Sequence, residues 1–196
     1  TKARYESQAG FHVAWDYVEM PSQMLENWVW KKDILKKISG HYKTGESLPS
    51  ELIARILKAQ KFRISSMYLR QMLLALFDMK LHYEMATGAP NEIYRQMLKK
   101  MTGLTVPKTQ LFPAGFGHIA GGYEAGYYSY AWAKVYAQDM FTRFENEGLL
   151  NPKTGSDYRT WILEKGSSMD EMELIKKFLG RTPNNKAFLK YISATE

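Results

Sequence analysis

Between residues 65 and 86 the chain carries Met67, Leu69, Met72, Leu73, Leu74, Leu76, Phe77, Met79 and Leu81, with few charges among them. A run of this length with no strand alternation predicts a long, mostly buried and central helix. A buried helix needs other helices around it, and the rest of the chain supplies them. Pro21 fits only a first helical turn, and Met24, Leu25, Trp28, Val29, Ile34 and Leu35 follow at helical spacing to about Ser39, where Gly40 ends the run. Pro49 starts a second helix, and Asn91–Thr102 forms a third, closed by Gly103.

The stretch from Leu104 to Gly122 is rich in proline and glycine and predicts an irregular segment. A second long helix is expected from about Tyr123 to Asn146. Ser168-Met-Asp-Glu171 reads as a capping box that opens a helix stopped by Gly180, and Pro183–Ile192 reads as a last short helix. No internal repeat or low-complexity segment interrupts the pattern. The fold class is therefore all-α, with little or no β, in a single helical unit over residues 1–196.

Composition closes several classes of function. The hydrophobic share is 45% and the charged share 24%, ordinary for a globular protein. No apolar run approaches the length of a membrane helix, so no membrane partner is expected. There is no cysteine, which removes disulfides, thiol nucleophiles and Cys-based metal sites and fits a cytoplasmic location. The net charge of +7 comes from lysine pairs spread along the chain, such as Lys31-Lys32 and Lys176-Lys177. They are not interleaved with aromatic motifs, which favours solvated helix faces over a nucleic-acid surface.

Two segments carry possible chemistry. In Asp16-Tyr-Val-Glu-Met-Pro-Ser-Gln-Met-Leu-Glu-Asn-Trp28, Asp16 and Glu19 stand before an amphipathic helix. On spacing alone they make a capping box, which the helix dipole favours. In Phe116-Gly-His-Ile-Ala-Gly-Gly-Tyr-Glu-Ala-Gly-Tyr-Tyr-Ser-Tyr130, glycines admit close approach of another backbone. Tyr123, Tyr127 and Tyr130 fall at i, i+4 and i+7, with Lys134 and Ala137 continuing the face. One reading is a core stripe. The other is a set of donors for a developing oxyanion, since three buried phenols each need a partner. Gly115-Phe-Gly-His-Ile-Ala120 also fits a dinucleotide-loop pattern, but Thr109–Pro113 ends in proline and offers no parallel strand, so that reading is rejected.

Both segments resemble the thimet-oligopeptidase family of zinc metallopeptidases, most clearly over residues 12–35 and 112–190. Gly155-Ser-Asp-Tyr-Arg159 and Phe178-Leu-Gly-Arg-Thr-Pro183 are similar to the family's C-terminal segment. The resemblance implies the helical, C-terminal portion of a peptidase catalytic domain that hydrolyses short peptides. It implies Glu19 as the third zinc ligand, Asp16 as a carboxylate beside a zinc-bound histidine, and His118, Tyr127 and Tyr130 as catalytic groups at the oxyanion. Gly121, Gly122, Tyr123 and Arg159 would contact substrate, although Arg159 reads equally as a surface ion pair.

The four histidines, at 12, 41, 82 and 118, form no His-Glu-x-x-His pattern. The family's spacing places that motif just before Thr1, so the partner implied is the N-terminal part of the catalytic domain, and this chain alone is expected to be inactive. The competing reading is a non-catalytic helical interaction module.

Overall fold

A computed structural model of the chain describes residues 1–193. Helices and tight turns make up its regular structure, and no strand occurs among the described residues, as expected of an all-α protein. The chain divides into two compact units: Thr1–Ile64 joined to the segment from Ala133 onward, and Ser65–Trp132.

The first unit opens with α1 (Trp15–Val18) and α2 (Met20–Leu25), with Pro21 in the first turn of α2. The expected continuous helix to Ser39 is broken. Residues Glu26–Trp30 wind as a 3₁₀ turn, and Lys31 is extended before α3 (Lys32–Ile38). The tighter winding turns Asn27 inward, where its amide donates to the Met24 carbonyl at 2.9 Å and its oxygen accepts from Gln138 at 2.8 Å. Trp28 packs edge-on against Phe141 and Phe144, and its Nε1–H donates to the Leu149 carbonyl at 2.8 Å. Helix α3 ends at Ile38 with Ser39 extended, so Gly40 does not cap it. Helix α4 (Ser50–Lys61) follows Pro49.

Helix α5 (Ile64–His82) and helix α6 (Pro90–Thr102) carry the second unit. Gly103, at φ +74°, closes α6 with its N–H on the Lys99 carbonyl. Leu73, Leu74 and Phe77 of α5 pack with Tyr94, Phe116 and Tyr127 in this unit's core. The expectation of a mostly buried α5 is corrected on one side, because Met67, Leu69, Met72 and Leu76 are exposed. Residues 112–120 form two short 3₁₀ turns.

Helix α7 (Ser129–Glu147) begins six residues later than the tyrosine spacing predicts. Ala125 sits at φ +55°, a left-handed conformation that no α-helix continues through. In the first unit, Ala133, Ala137, Met140, Phe141 and Phe144 pack with Met20, Met24 and Tyr17.

Helix α8 (Pro152–Tyr158), running on into a π-turn over Arg159–Leu163, was not anticipated. Its start is legible in retrospect: the Asn151 side chain accepts the N–H groups of Lys153 and Thr154, and Pro152 occupies the first turn. Helix α9 (Glu171–Leu179) is capped by Asp170, which accepts the Glu173 N–H at 3.0 Å, and not by Ser168; Gly180, at φ +69°, closes it as expected. Helix α10 (Lys186–Ile192) starts three residues after Pro183. The Asn184 N–H is instead held by the Asp139 carboxylate at 2.9 Å.

Candidate functional site

In the second unit the glycine-rich segment folds its aromatic side chains into one cluster. The His118 ring lies edge-on to Tyr123, Tyr127 and Tyr130, with centroids 5.5, 5.1 and 5.7 Å away. Tyr123 stacks on Tyr130 at 5.3 Å. The three phenols therefore gather although only Tyr130 is helical, and a turn, not a helix face, brings Tyr123 and Tyr127 to it. His118, Tyr123 and Tyr127 line an open cleft of about 560 Å³ together with Arg70, Gly117 and Gly121.

The hydroxyls differ. Tyr127 is buried, and its O–H donates to Gln71 Oε1 at 3.1 Å. Burial pushes its pKa up, with Arg70 pulling the other way, so the phenol stays a neutral donor at ordinary pH. Tyr130 is half-buried, with its oxygen 3.5 Å from His118 Nε2, a long and weak contact. Glu124 folds back to accept the Gly122 N–H at 3.0 Å. The backbone hydrogen bonds it accepts hold its carboxyl below the usual range. Gly121 is required sterically, since a Cβ there would lie 2.7 Å from the Gly117 carbonyl oxygen.

Sequence reasoning missed Asp78. It is fully buried on α5, and its carboxylate accepts the N–H groups of Ala125 and Tyr127 at 3.1 and 2.9 Å. The signal was an aspartate inside an otherwise apolar helical run, four residues before His82.

In the first unit Glu19 occupies the joint where α1 ends and α2 begins, half-buried, with Ser22 Oγ donating to its main-chain carbonyl at 2.9 Å. Asp16 lies in the first turn of α1, whose N-cap is Ala14, so the expected capping box between Asp16 and Glu19 does not form. Lys134 is buried and spent on Glu26, 3.2 Å away, and on the Gln23 carbonyl. Arg159 stands on the surface, 65% exposed and 3.4 Å from Glu164.

A catalytic zinc site takes three protein ligands. Among the described residues no three histidine, aspartate or glutamate side chains are grouped as a metal would need. Glu19 fits the part of one oxygen ligand and no more. No helix among the described residues is long and apolar enough to cross a membrane.

The chain belongs to peptidase family M3, whose model matches residues 1–194. It is 45% identical over 183 residues to oligopeptidase A of Escherichia coli and 44% identical to that of Haemophilus influenzae, covering 91% of this chain and 27% of each relative. It is 41% identical over 186 residues to saccharolysin of Saccharomyces cerevisiae, covering 91% of this chain and 26% of that protein. The chain thus spans about a quarter of the length of these relatives.

Proposed function

We propose that this chain is part of a zinc-dependent, cytoplasmic oligopeptidase that hydrolyses short peptides. In this reading Glu19 supplies one zinc ligand and Asp16 stands behind a ligating histidine, while the remaining ligands come from the N-terminal part of the catalytic domain. Bound zinc supplies Lewis acidity at the scissile carbonyl. The part of this chain's residues is to stabilise the oxyanion and to contact substrate.

The observation that carries the reading is the gathering of Tyr123, Tyr127 and Tyr130 around His118, with His118, Tyr123 and Tyr127 lining one glycine-bearing cleft. Hydrolysis makes the carbonyl oxygen negative, and neutral phenols placed beforehand stabilise it without reorganising. His118 and Tyr130 are the pair with mutual reach; Tyr127 reaches the same oxygen by exchanging its bond to Gln71 for it. Gly121 lines the cleft, Gly122 leaves open space for an extended substrate backbone beside Tyr123, and Arg159 offers a cation to a peptide carboxylate.

The test uses the full-length protein. Chelation should abolish hydrolysis of a quenched fluorescent peptide and zinc should restore it, while Glu19→Gln should lower zinc content and activity together. Full zinc occupancy in that variant removes Glu19 from the metal. Peptide turnover that is indifferent to chelation overturns the zinc dependence, and no turnover in the zinc-supplied protein favours a helical interaction module.

A further inference from the structure

We infer that Asp78 is a positioning residue for the phenol cluster and that His82 fixes the pose of its carboxylate, an inference resting on the oxyanion role proposed above. Asp78 lies in the interior of α5 with no exposed surface. A carboxylate removed from water is tolerated only when donors replace its hydration. Here three do so. Oδ1 accepts the Ala125 N–H at 3.1 Å and the His82 ring at 2.8 Å, and Oδ2 accepts the Tyr127 N–H at 2.9 Å.

The tautomer of His82 follows from its surroundings. Its Nδ1 faces two acceptors, the Asp78 carboxylate and the Asp78 main-chain carbonyl at 3.1 Å. Nδ1 therefore carries a hydrogen and donates, which ties the imidazole and the carboxylate into one unit on successive turns of α5. The two main-chain N–H groups on the other side are two residues apart and take one oxygen each. Such a clasp fixes both the position and the direction of the backbone between them.

That backbone is the part that needs fixing. Ala125 is held at φ +55°, where a residue with a Cβ is strained. Buried Gly126 completes the turn, and the Tyr130 N–H then meets the Tyr127 carbonyl at 3.3 Å as α7 begins. The clasp thus sets where Tyr127 leaves the chain and, three residues on, where Tyr130 does. Oxyanion donors lose their effect when misplaced by about 1 Å, roughly a hundredfold in rate. A carboxylate that touches neither cleft nor substrate can act on the reaction by this route.

The experiment compares Asp78→Asn, Tyr130→Phe and the double variant in the full-length protein. It measures zinc content, kcat and KM on a short quenched peptide, and amide exchange over residues 123–130. Asp78→Asn should keep its zinc and lose at least about tenfold in kcat with KM changed less than about twofold. The cost of Tyr130→Phe should shrink from about a hundredfold in the natural background to about tenfold or less in Asp78→Asn. An undiminished Tyr130→Phe cost overturns the inference, as does an Asp78→Asn enzyme with full kcat.

If Tyr130→Phe alone costs nothing, the oxyanion reading falls, and the anchor is judged by exchange: faster Ala125 and Tyr127 amides in Asp78→Asn support it, and unchanged amides overturn it. Should Asp78→Asn not fold, His82→Ala and His82→Gln replace it. The glutamine amide can donate to Asp78, so it should recover part of the kcat that alanine loses; equal kcat in the two variants counts against the inference.

Discussion

Arg181 grips Asp139 through both terminal nitrogens, each 2.7 Å from a carboxylate oxygen. Asp139 is 2% exposed while the arginine is 42% exposed. The pairing raises the Arg181 pKa, chiefly through these hydrogen bonds. Asp139 also accepts the Asn184 N–H, so the same carboxylate fixes the approach to α10. Removing the cation leaves a buried charge with fewer donors. Arg181→Met should cost about 2–3 kcal/mol, below the usual figure for a fully buried pair because the arginine is half in water. A urea titration that shows less than about 1 kcal/mol lost would mean that Asp139 is satisfied by Asn184 alone.

In the full-length protein, Tyr130→Phe should retain zinc and lose on the order of a hundredfold in turnover. Loss of the metal, or full turnover, removes Tyr130 from the oxyanion.

Gly166→Ala should destabilise the first unit. Gly166 is buried at φ +53°, and a Cβ there would collide with the Gln8 carbonyl oxygen, which accepts the Ser167 N–H at 3.0 Å. The collision and the backbone strain together should cost about 2–4 kcal/mol, or roughly 5–15 °C in Tm. Thermal melting of the variant beside Gly155→Ala gives the comparison, since a Cβ at Gly155 meets nothing within 4 Å. Equal melting temperatures would show that the N-terminal segment simply moves aside.

How much of this was legible in the sequence depends on which force decided each element. Caps written in local chemistry were readable, as with Gly103 and Gly180, which close α6 and α9 in left-handed conformations. The gathering of Tyr123, Tyr127 and Tyr130 was expected, but from a helix face that does not exist. Periodicity cannot report a turn whose amides are held by Asp78, 47 and 49 residues away. The 3₁₀ winding at Asn27 escaped for the same reason, since its partner Gln138 is 111 residues on.

Acid should weaken the fold from one identifiable place. Bonds from Arg143 and Thr154 depress the Glu147 pKa, and bonds from Lys153 and Arg143 depress that of Asp157. Carboxyls with folded pKa values below their unfolded ones contribute stability above about pH 4, which is lost as pH falls through the folded values. The urea midpoint should therefore drop between about pH 5 and 3, and Arg143→Met should flatten that drop. An unchanged slope in the variant would place the acid sensitivity elsewhere.

The chain as it stands should self-associate. Leu69, Met72 and Leu76 are exposed at i, i+3 and i+7 and so share one stripe of α5. Light scattering should show mass rising with concentration, and Met72→Lys with Leu76→Lys should suppress it. A monomer at every concentration, with no binding of an apolar dye, would mean that the stripe is tolerated in water.

The first unit is discontinuous along the chain, with Ser65–Trp132 interposed between its two parts. During synthesis, Met20 and Met24 emerge long before Met140, Phe141 and Phe178, against which they pack. At roughly 5–20 residues per second, the interposed stretch alone delays that meeting by on the order of 3–14 s. For those seconds Met20 and Met24 lack these partners, while the second unit, all of whose residues precede Ala133, is being completed. The order of completion along the chain is thus the second unit first and the first unit last, since only the segment from Ala133 onward closes the core around Met20 and Met24.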